Sequence, residues 1–258
     1  MNIAVITGAS SGIGREFCRQ LDETGFDEIW GIALGEDLLV SLSKEMKTPF
    51  RYFALDLTAE QSYKIYEQAL VDSAAEVTLL INCSGFGKFG RFDEIPVAQS
   101  LNMIDLNCKG VVRMTETTLP YMKKGANVMN IASVAAFQSV PYLNVYAATK
   151  AFVLSYSRGI REELKPKGIN VTTVCPFWTK TEFFNRANQT NDKVVSKYSV
   201  MYNARDVVKK AIKDTFNHKE LSIYGIKARN QVRLVKFAPH RLIMKFWIKQ
   251  QKLDKKYK

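Results

Sequence analysis

The sequence T-G-A-S-S-G-I-G at residues 7–14 comes directly after the apolar run Ile3–Ile6 and leads into an amphipathic stretch, Gly14–Glu23. Glycines in such a turn allow positive φ and let the backbone approach a bound group closely. The free N–H groups and the dipole of a following helix favour an anion such as a pyrophosphate. A strand, a glycine-rich turn and a helix in this order predict the first βα unit of a dinucleotide-binding sheet, although a tight turn without a ligand is the alternative.

Apolar, β-rich runs alternate with helical patterns along almost the whole chain. The apolar runs are Ile3–Ile6, Ile29–Ala33, Tyr52–Leu55, Thr78–Ile81, Asn127–Ile131, Val171–Val174 and Leu221–Tyr224. The helical stretches are Gly14–Glu23, Glu60–Ser73, Leu106–Lys123, Tyr146–Leu164 and Ala204–Phe216. Short continuous apolar runs are typical of strands buried on both faces, and their alternation with helices implies right-handed βαβ crossovers. The pattern predicts an α/β fold, a Rossmann-type doubly wound parallel sheet of about seven strands in three α/β/α layers.

The formal charge of +12 is concentrated near the C-terminus. Residues 227–258 hold eleven Lys and Arg against the single acid Asp254, a net charge of +10, whereas residues 1–226 are nearly neutral at +2. No repeat, low-complexity segment or flexible linker divides the chain. We therefore expect one nucleotide-binding and catalytic domain over residues 1–226, followed by a basic amphipathic extension over residues 227–258.

Several classes of protein are disfavoured by composition. No apolar run reaches the roughly 18 residues that span a bilayer, and the N-terminus begins as a strand rather than as a signal peptide. The four cysteines are scattered, which predicts buried free thiols, and His218 and His240 are the only histidines. We therefore expect a cytoplasmic protein with no metal site, whose proton transfers use side chains other than histidine.

Further motifs follow the glycine-rich turn Gly8-x3-Gly12-x-Gly14. They are Asp56-Leu57 after the third strand, Asn82-Cys83-Ser84-Gly85 after the fourth, then Asn107, Ser133 and Tyr146-x3-Lys150, with twelve residues between Ser133 and Tyr146. This set, spread over residues 1–226, resembles the single-domain short-chain dehydrogenase/reductase family with its T-G-x-x-x-G-x-G and Y-x-x-x-K motifs. The chain departs from the family's N-N-A-G at Cys83-Ser84 and from its P-G at Phe177.

The resemblance implies an NAD(P)-dependent ketoreductase or alcohol dehydrogenase with Asn107, Ser133, Tyr146 and Lys150 as catalytic residues. Tyr146 and Lys150 are four residues apart at the start of a helix, so they share one face. A free phenol has a pKa of about 10, which a nearby ammonium group lowers. Ser133 would donate a hydrogen bond to the substrate oxygen, Asn107 would hold a water that relays protons, and Tyr146 would protonate the carbonyl. Singly, these residues have plain alternatives: a helix-surface tyrosine, a solvated lysine and a turn serine.

The resemblance also implies a set of cofactor-binding residues. They are Gly8, Ser10, Ser11, Gly12, Ile13, Gly14, Arg15, Asp56, Leu57, Asn82, Ser84, Gly85, Tyr146, Lys150, Pro176, Thr179 and Thr181. At the end of the second strand, Ala33-Leu34-Gly35-Glu36 places neither an acid, which would bind a ribose 2′-OH and repel a 2′-phosphate, nor a base at the usual positions, though Glu36 is close. Arg15 either attracts a 2′-phosphate or is an exposed cation of the first helical turn. The sequence therefore favours NADP(H) over NAD(H).

Residues 177–202 form the segment that usually covers the substrate in similar enzymes. Its large apolar side chains are Phe177, Trp178, Phe183, Phe184, Tyr198, Tyr202 and Met201. Buried ring surface contributes roughly 25 cal/mol per Å² to binding, so this composition favours an apolar substrate, unless the rings only pack the segment onto the body. We expect a lipophilic carbonyl compound such as a ketosteroid or a 3-oxoacyl compound; small sugars or polyols, or a non-catalytic nucleotide-binding regulator docked to a membrane, are the alternatives.

The C-terminal extension contains an amphipathic helical pattern after Pro239. Its basic stripe is Arg241, Lys245, Lys249 and Lys252, and its apolar face is Leu242, Ile243, Phe246 and Trp247. Such a helix either contacts an anionic membrane through residues 240–258 or packs on its own body or across a dimer. We expect a homodimer or homotetramer that acts on a small-molecule carbonyl or alcohol, with no nucleic-acid partner.

Overall fold

A computed structural model describes residues 1–191, 194–195 and 197–253 of the chain. The strands are β1 Asn2–Thr7, β2 Glu28–Ala33, β3 Phe50–Ala54, β4 Glu76–Asn82, β5 Asn127–Ile131, β6 Asn170–Val174, β7 Thr179–Lys180, β8 Tyr202–Asn203 and β9 Leu221–Ser222. Seven of them form one parallel sheet in the order β3-β2-β1-β4-β5-β6-β9, while β7 pairs with β8. The strand order reverses direction between β1 and β4, which places a crevice at the carboxyl ends of these two strands.

Helices connect the strands and cover both faces of the sheet. They are α1 Gly12–Leu21, α2 Glu36–Ser43, α3 Glu60–Ser73, α4 Val97–Ile104, α5 Gly110–Thr118, α6 Asn144–Leu164, α7 Phe183–Ala187, α8 Ala204–Phe216, α9 Ile226–Phe237 and α10 His240–Gln250. No helix in the described part of the chain is both long and apolar enough to cross a membrane.

The core lies on the two faces of the sheet, as the period of a strand requires. In β1, Ile3 and Val5 pack with Trp30 and side chains of α3, α5 and α6, whereas Ala4 and Ile6 pack with side chains of α1, α2 and α8. This arrangement confirms the predicted three-layer doubly wound fold. All four cysteines are free, and three of them are buried.

One predicted helix differs from the structure. The pattern at Leu106–Lys123 predicts a continuous helix, but a π-helical segment, Asp105–Lys109, joins α4 to α5, and α5 ends at Thr118. A π turn inserts one residue into the helical repeat, so the hydrophobic period does not reveal it. Its consequence is that Asn107 is turned towards the strand ends, where it is fully buried.

The C-terminal extension folds back on the body as α9 and α10. Val232 of α9 packs with Val134 and Phe177, and Trp247 of α10 is only 8% exposed, stacked on Trp178 with ring centroids 6.4 Å apart. The structure therefore shows packing on the chain's own body, one of the two predicted alternatives. Of the segment 240–258, for which membrane contact is the other alternative, residues 254–258 lie outside the described residues.

Candidate active site

The glycine-rich turn is shaped by close approaches of the backbone. Gly8 and Gly12 have φ values of +69° and +52°, in the left-handed region that favours glycine. A Cβ on Gly14 would lie 2.1 Å from the carbonyl oxygen of Gly8, so a side chain there would push α1 away from β1. These glycines therefore hold the first turn of α1 directly against the end of the strand.

The N-terminus of α1 is suited to an anion. Ser11 precedes the helix with an extended backbone and makes no side-chain capping hydrogen bond, and the first turn contains no acidic residue. No side chain of the cap or of the first turn thus neutralises the N–H groups and the positive dipole end of α1; the nearest carboxylate is Glu182, whose Oε2 would lie 3.6 Å from a Cβ on Gly12. This cradle fits the pyrophosphate of a dinucleotide, as predicted from residues 8–14.

The ends of β1 and β4 are tied together beside this turn. The Thr7 hydroxyl accepts hydrogen bonds from the N–H groups of Cys83 and Ser84, at 2.9 and 3.0 Å. Asn82 lies behind the loop, where its amide donates to Thr115 and to Asn130. The 82–85 loop is therefore held in place by polar bonds to β1, although its sequence departs from the family's N-N-A-G.

Ser133, Tyr146 and Lys150 meet at the carboxyl ends of β5 and β6. Ser133 starts a short 3-10 turn, Val134–Phe137, and Tyr146 and Lys150 lie on the first turns of α6. The Lys150 Nζ lies 5.9 Å from the centroid of the Tyr146 ring and donates to the carbonyl oxygen of Ile131 at 2.8 Å. The structure thus brings three of the four predicted catalytic residues together around one space.

Asn107 lies behind this group rather than in it. Its side-chain oxygen accepts from the N–H of Phe86 at 3.1 Å, and its amide nitrogen donates to the Phe86 carbonyl at 2.9 Å and to Thr149 at 3.0 Å. A Cβ on Gly85 would lie 2.9 Å from the Asn107 oxygen and 3.3 Å from the Lys150 Nζ. The side-chain hydrogen bonds of Asn107 thus hold the 85–87 loop against α6. A proton-relay water at Asn107 would therefore have to bind its main chain rather than its side chain.

Burial acts on the pKa values of the two titratable catalytic groups. It raises the pKa of Tyr146 to about 12, a rise that hydrogen bonding to Ser133 only partly offsets. It lowers the pKa of Lys150 to about 8, because the protein replaces the water that would solvate the ammonium. Lys150 was expected to lower the pKa of Tyr146, but in the structure burial raises that pKa, and the hydroxyl of Ser133 is the group that acts against the rise.

One cavity of about 840 Å³ connects the glycine turn to these residues. The predicted residues that line it are Gly8, Ser10, Ser11, Gly12, Ile13, Gly14, Asp56, Leu57, Ser84, Gly85, Ser133, Tyr146, Lys150, Pro176, Thr179 and Thr181. Asn82 and Asn107 do not line it, because they support the cavity wall from behind. Arg15 does not line it either.

Arg15 is bonded on the outer side of α1. Its guanidinium donates to Glu45 at 2.5 Å and to the carbonyl oxygens of Ser10 and Leu38 at 3.3 and 3.2 Å. Glu45 also pairs with Arg19 at 2.8 Å. A contact between Arg15 and a 2′-phosphate, which the sequence analysis considered, would have to compete with this carboxylate.

The far end of the cavity is lined by aromatic rings. Phe89, Trp178, Phe183, Phe184 and Trp247 all contribute to its wall, and we call these five residues the aromatic cluster. The rings of Tyr146 and Phe183 lie 5.4 Å apart, so the cluster begins beside the candidate proton donor. Of the other predicted rings, Phe177 lines the cavity, while Tyr198 and Tyr202 pack against Trp178 and Phe177 from outside.

The wall also contains residues that sequence reasoning missed. They are Leu34, Phe86, Phe89, Val140, Leu143, Arg186, Leu234, Val235, Leu242, Ile243 and Phe246, among others. Those from α9 and α10 come from the extension that the sequence analysis placed outside the catalytic domain. The amphipathic pattern after Pro239 signalled a buried face, but nothing in it identified a cavity as what that face covers.

The order of the motifs and their meeting at the strand ends are typical of a single enzyme family, and comparison with the family's sequence model tests whether this chain belongs to it. The model of the family described as short chain dehydrogenase matches residues 2–192. The chain belongs to this family. The dehydrogenase is thus an oxidoreductase, as its motifs indicated.

Relatives of this dehydrogenase differ in what they act on. A serine 3-dehydrogenase of Rhizobium radiobacter is 34% identical over 69% of this chain and 72% of its own. A very-long-chain 3-oxoacyl-CoA reductase of Danio rerio is 32% identical over 74% of this chain and 62% of its own. Among solved structures, a short-chain dehydrogenase from Sphingobium yanoikuyae in complex with NADPH is 25% identical, with a TM-score of 0.76 over 93% of this chain and 97% of that one. Family membership therefore leaves the substrate open.

Proposed function

We propose that this dehydrogenase reduces a lipophilic ketone, of the size of a medium-chain oxoacyl compound or a steroid, with NADPH. The observation that carries the proposal is the aromatic cluster, which begins at Tyr146 and forms the far wall of the cavity. Each ring that a substrate covers contributes binding in proportion to its buried area. Small sugars or polyols would leave their hydroxyl groups without partners against these rings.

The residues on the nucleotide side would position the cofactor. The N-terminus of α1 would bind the pyrophosphate, Asp56 would bind the adenine, and Tyr146 and Lys150 would bind the nicotinamide ribose. When bound, the reduced nicotinamide supplies the hydride that a carbonyl carbon receives. The polar groups at the ends of β1 and β4 are already bonded to each other, so this half of the cavity is formed before binding.

The proton for the substrate oxygen would come from Tyr146. A pKa of about 12 keeps the phenol protonated at neutral pH, which is the form that can donate. Ser133, which hydrogen-bonds Tyr146, would hold the carbonyl oxygen at the same place. The ammonium of Lys150 would stabilise the phenolate that remains after the proton has left.

The preference for NADPH has two supports. The cavity wall at the end of β2 is made of Ala33, Leu34 and Gly35, and the adjacent acid Glu36 does not line it, which leaves room for a 2′-phosphate. The similar structure from Sphingobium yanoikuyae is a complex with NADPH.

The assembly and location of the enzyme also remain predictions. A second copy of the chain fits the exposed apolar side chains of α4 and α6, Val97, Leu101, Ile104 and Phe152, which supports a homodimer or homotetramer. A peripheral contact with anionic lipid fits Leu242 and Phe246 of α10, which are 59% and 68% exposed beside Arg241 and Lys245. Ultracentrifugation tests the first, and co-sedimentation with anionic vesicles at low and high salt tests the second. A cytoplasmic location is consistent with both.

Replacement of the candidate proton donor tests the proposed reaction. With NADPH and a panel of ketosteroids, 3-oxoacyl thioesters and sugars, we expect oxidation of NADPH with the apolar ketones, and Tyr146→Phe should lower kcat by about 10²–10⁴-fold. Tyr156→Phe, on the same helix, is the control and should keep most of the activity. In a fluorescence titration, Tyr156→Phe should bind NADPH with the wild-type Kd and Tyr146→Phe, which loses one hydrogen bond to the ribose, no more than about tenfold more weakly. Substantial turnover by Tyr146→Phe would contradict the assignment, and turnover of sugars alone would contradict the substrate class.

A further inference from the structure

A second, smaller cavity lies beside the main one and is built from an unusual set of side chains. It measures about 330 Å³ and is lined by Phe86, Lys88, Ala98, Gln99, Asn102, Arg186 and Gln189. Of the described residues, two cations and three amides line it and no carboxylate does. Phe86 and Arg186 line both cavities, so the two are neighbours along the 85–88 loop and α7.

Lys88 is a buried cation for which the described residues supply no counter-ion. Its exposed fraction is 4%, and within the described part of the chain its Nζ donates to the side-chain oxygen of Gln189 at 2.7 Å. Among the described residues no carboxylate pairs with it. Burial and the charge of Arg186 both lower the pKa of Lys88, which is the behaviour of a charge that lacks compensation.

Arg186 is placed to act with Lys88. Its guanidinium lies 3.5 Å from the centroid of the Phe86 ring, which holds the group against the cavity, and no carboxylate of the described residues pairs with it. Partial desolvation lowers its pKa, although the residue as a whole is exposed. A planar guanidinium held on a ring is well suited to bind an oxyanion in bidentate fashion.

Gln99 supplies a third unsatisfied group. Its side-chain oxygen is buried without a hydrogen-bond partner. A half-turn of the amide would present its NH2 group to the cavity instead, because the two orientations occupy nearly the same space. A buried lysine and an exposed arginine, neither paired with a carboxylate of the described residues, thus lie around one space with an amide oxygen that lacks a partner.

We propose that Lys88 and Arg186 bind an anionic group of the substrate, a carboxylate, sulfonate or phosphate, so that the substrate is an oxo-acid or an equivalent anionic ketone. This inference rests on the proposed function and narrows its substrate class. A Cβ on Gly87 would lie 2.9 Å from Cδ2 of Tyr146 and 2.8 Å from Cζ of Phe183, and Lys88 is the next residue. Since Phe86 and Arg186 line both cavities, a substrate with its carbonyl at Tyr146 would place its apolar chain on the aromatic cluster and extend its charged group towards Arg186 and Lys88.

The kinetic test compares acids with their neutral esters. The substrates are the 3-, 4- and 5-oxo isomers of decanoate, each beside its methyl ester, and the readout is the ratio of kcat/KM for acid over ester. We expect at least one isomer to give a ratio of ten or more, and Lys88→Met to lower that ratio at least tenfold, since it removes the charge with little change in volume. Lys180→Met, an exposed lysine of β7, is the control and should keep the ratio. Equal rates for all acids and esters, or a ratio that survives in Lys88→Met, would overturn the proposal.

A binding measurement separates this inference from the proposed reaction. Calorimetric titration of the NADPH complex with decanoate and with decan-1-ol should show that Lys88→Met weakens decanoate at least tenfold and leaves decan-1-ol nearly unchanged. Without ligand, Lys88→Met should melt at a higher temperature than the wild type, because a buried unpaired charge has been removed, and this shows that it folds. If no ketone is reduced but decanoate binding depends on Lys88, the proposed reaction fails and the anion site stands. If inorganic phosphate raises the melting temperature through Lys88 while acids and esters react equally, the site serves a separate anion and the substrate assignment is wrong.

Discussion

The two ends of the cavity are built by different means. The nucleotide end consists mainly of backbone: a turn with two left-handed glycines, the free N-terminus of α1, and strand ends joined through the Thr7 hydroxyl. The substrate end consists of side chains brought together from Phe89, Trp178 and Trp247, which are far apart in the chain. A site made of backbone binds the pyrophosphate that all dinucleotide cofactors share. A site made of side chains changes its shape and polarity with each substitution. The difference explains how one fold keeps its cofactor site while its relatives act on unlike substrates.

A methyl group at Gly14 should damage the nucleotide end most. The added Cβ of Gly14→Ala would lie 2.1 Å from the Gly8 carbonyl oxygen, so α1 must move away from β1. We expect a loss of several kcal/mol of stability, on the order of 3 or more, and NADPH binding too weak to titrate. Gly159→Ala, in α6 with nothing within 4 Å of its Cβ, should instead leave both measurements unchanged or raise stability by about 0.5–1 kcal/mol. Near-normal NADPH affinity in Gly14→Ala would show that nucleotide binding does not require the close approach of α1 to the Gly8 carbonyl.

Removal of a ring from the extension should lower stability and weaken substrate binding without changing nucleotide binding. Trp247 is 8% exposed, stacks on Trp178 and donates its Nε1–H to the Pro141 carbonyl at 3.0 Å. Trp247→Ala should lose about 3 kcal/mol of stability and raise KM for apolar ketones, with the Kd of NADPH unchanged. Phe246→Ala, the exposed neighbour, should change stability by less than about 0.5 kcal/mol. Denaturant unfolding and steady-state kinetics measure both; a large change in NADPH affinity for Trp247→Ala would mean that the two ends are not independent.

The buried charge of Lys150 should lower the free energy of unfolding of the nucleotide-free protein. Burial lowers its pKa in the folded state to about 8, so the folded state binds fewer protons than the unfolded state between about pH 8 and 10.5, and stability from this group rises with pH across that window. Lys150→Met removes the penalty and should stabilise the protein at pH 7 by about 1–2 kcal/mol, after the lost bond to Ile131 is subtracted, while activity is lost.

The pH dependence of that difference is the sharper measurement. Burial raises the pKa of Tyr146 and of all four cysteines, and these groups lower stability above about pH 9 in both proteins. The readout is therefore the difference in melting temperature between Lys150→Met and the wild type. It should be largest at pH 7 and shrink as the pH approaches 10.5. A difference that does not change with pH would contradict a buried charge at Lys150.

The smallest expected effect concerns the outer edge of the nucleotide end. Glu45 holds Arg15 and Arg19 away from the cavity, so Glu45→Gln should release positive charge towards a bound 2′-phosphate. We expect NADPH to bind about two- to fivefold tighter, with less change for NADH, in fluorescence titrations at low salt. Lys47 pairs with Glu23 on the same surface, so Glu23→Gln is the matched control and should leave both Kd values unchanged. Equal changes in the Kd values of NADPH and NADH would show that Arg15 does not contribute to cofactor selection.

The sequence by itself determined the features that depend on local rules. Continuous apolar runs bury both faces of β1, β2, β4, β5 and β6, while the edge strand β3 stays partly exposed. Glycine spacing shapes the first turn because only glycine tolerates that backbone and that close approach. The order and spacing of Ser133, Tyr146 and Lys150 likewise predicted a group that the structure brings together at the ends of β5 and β6.

Only the tertiary structure decided which distant side chains meet. The burial of Asn107 depends on a π turn, the position of Arg15 on a carboxylate thirty residues away, and the substrate wall on helices that the charge pattern had set apart as an extension. Lys88 was one lysine among many in the sequence, and its burial beside Arg186 arises from contacts across about a hundred residues. Such contacts depend on how whole helices and strands pack against each other. The hydrophobic period of a segment predicts its secondary structure but not which distant segment it will contact.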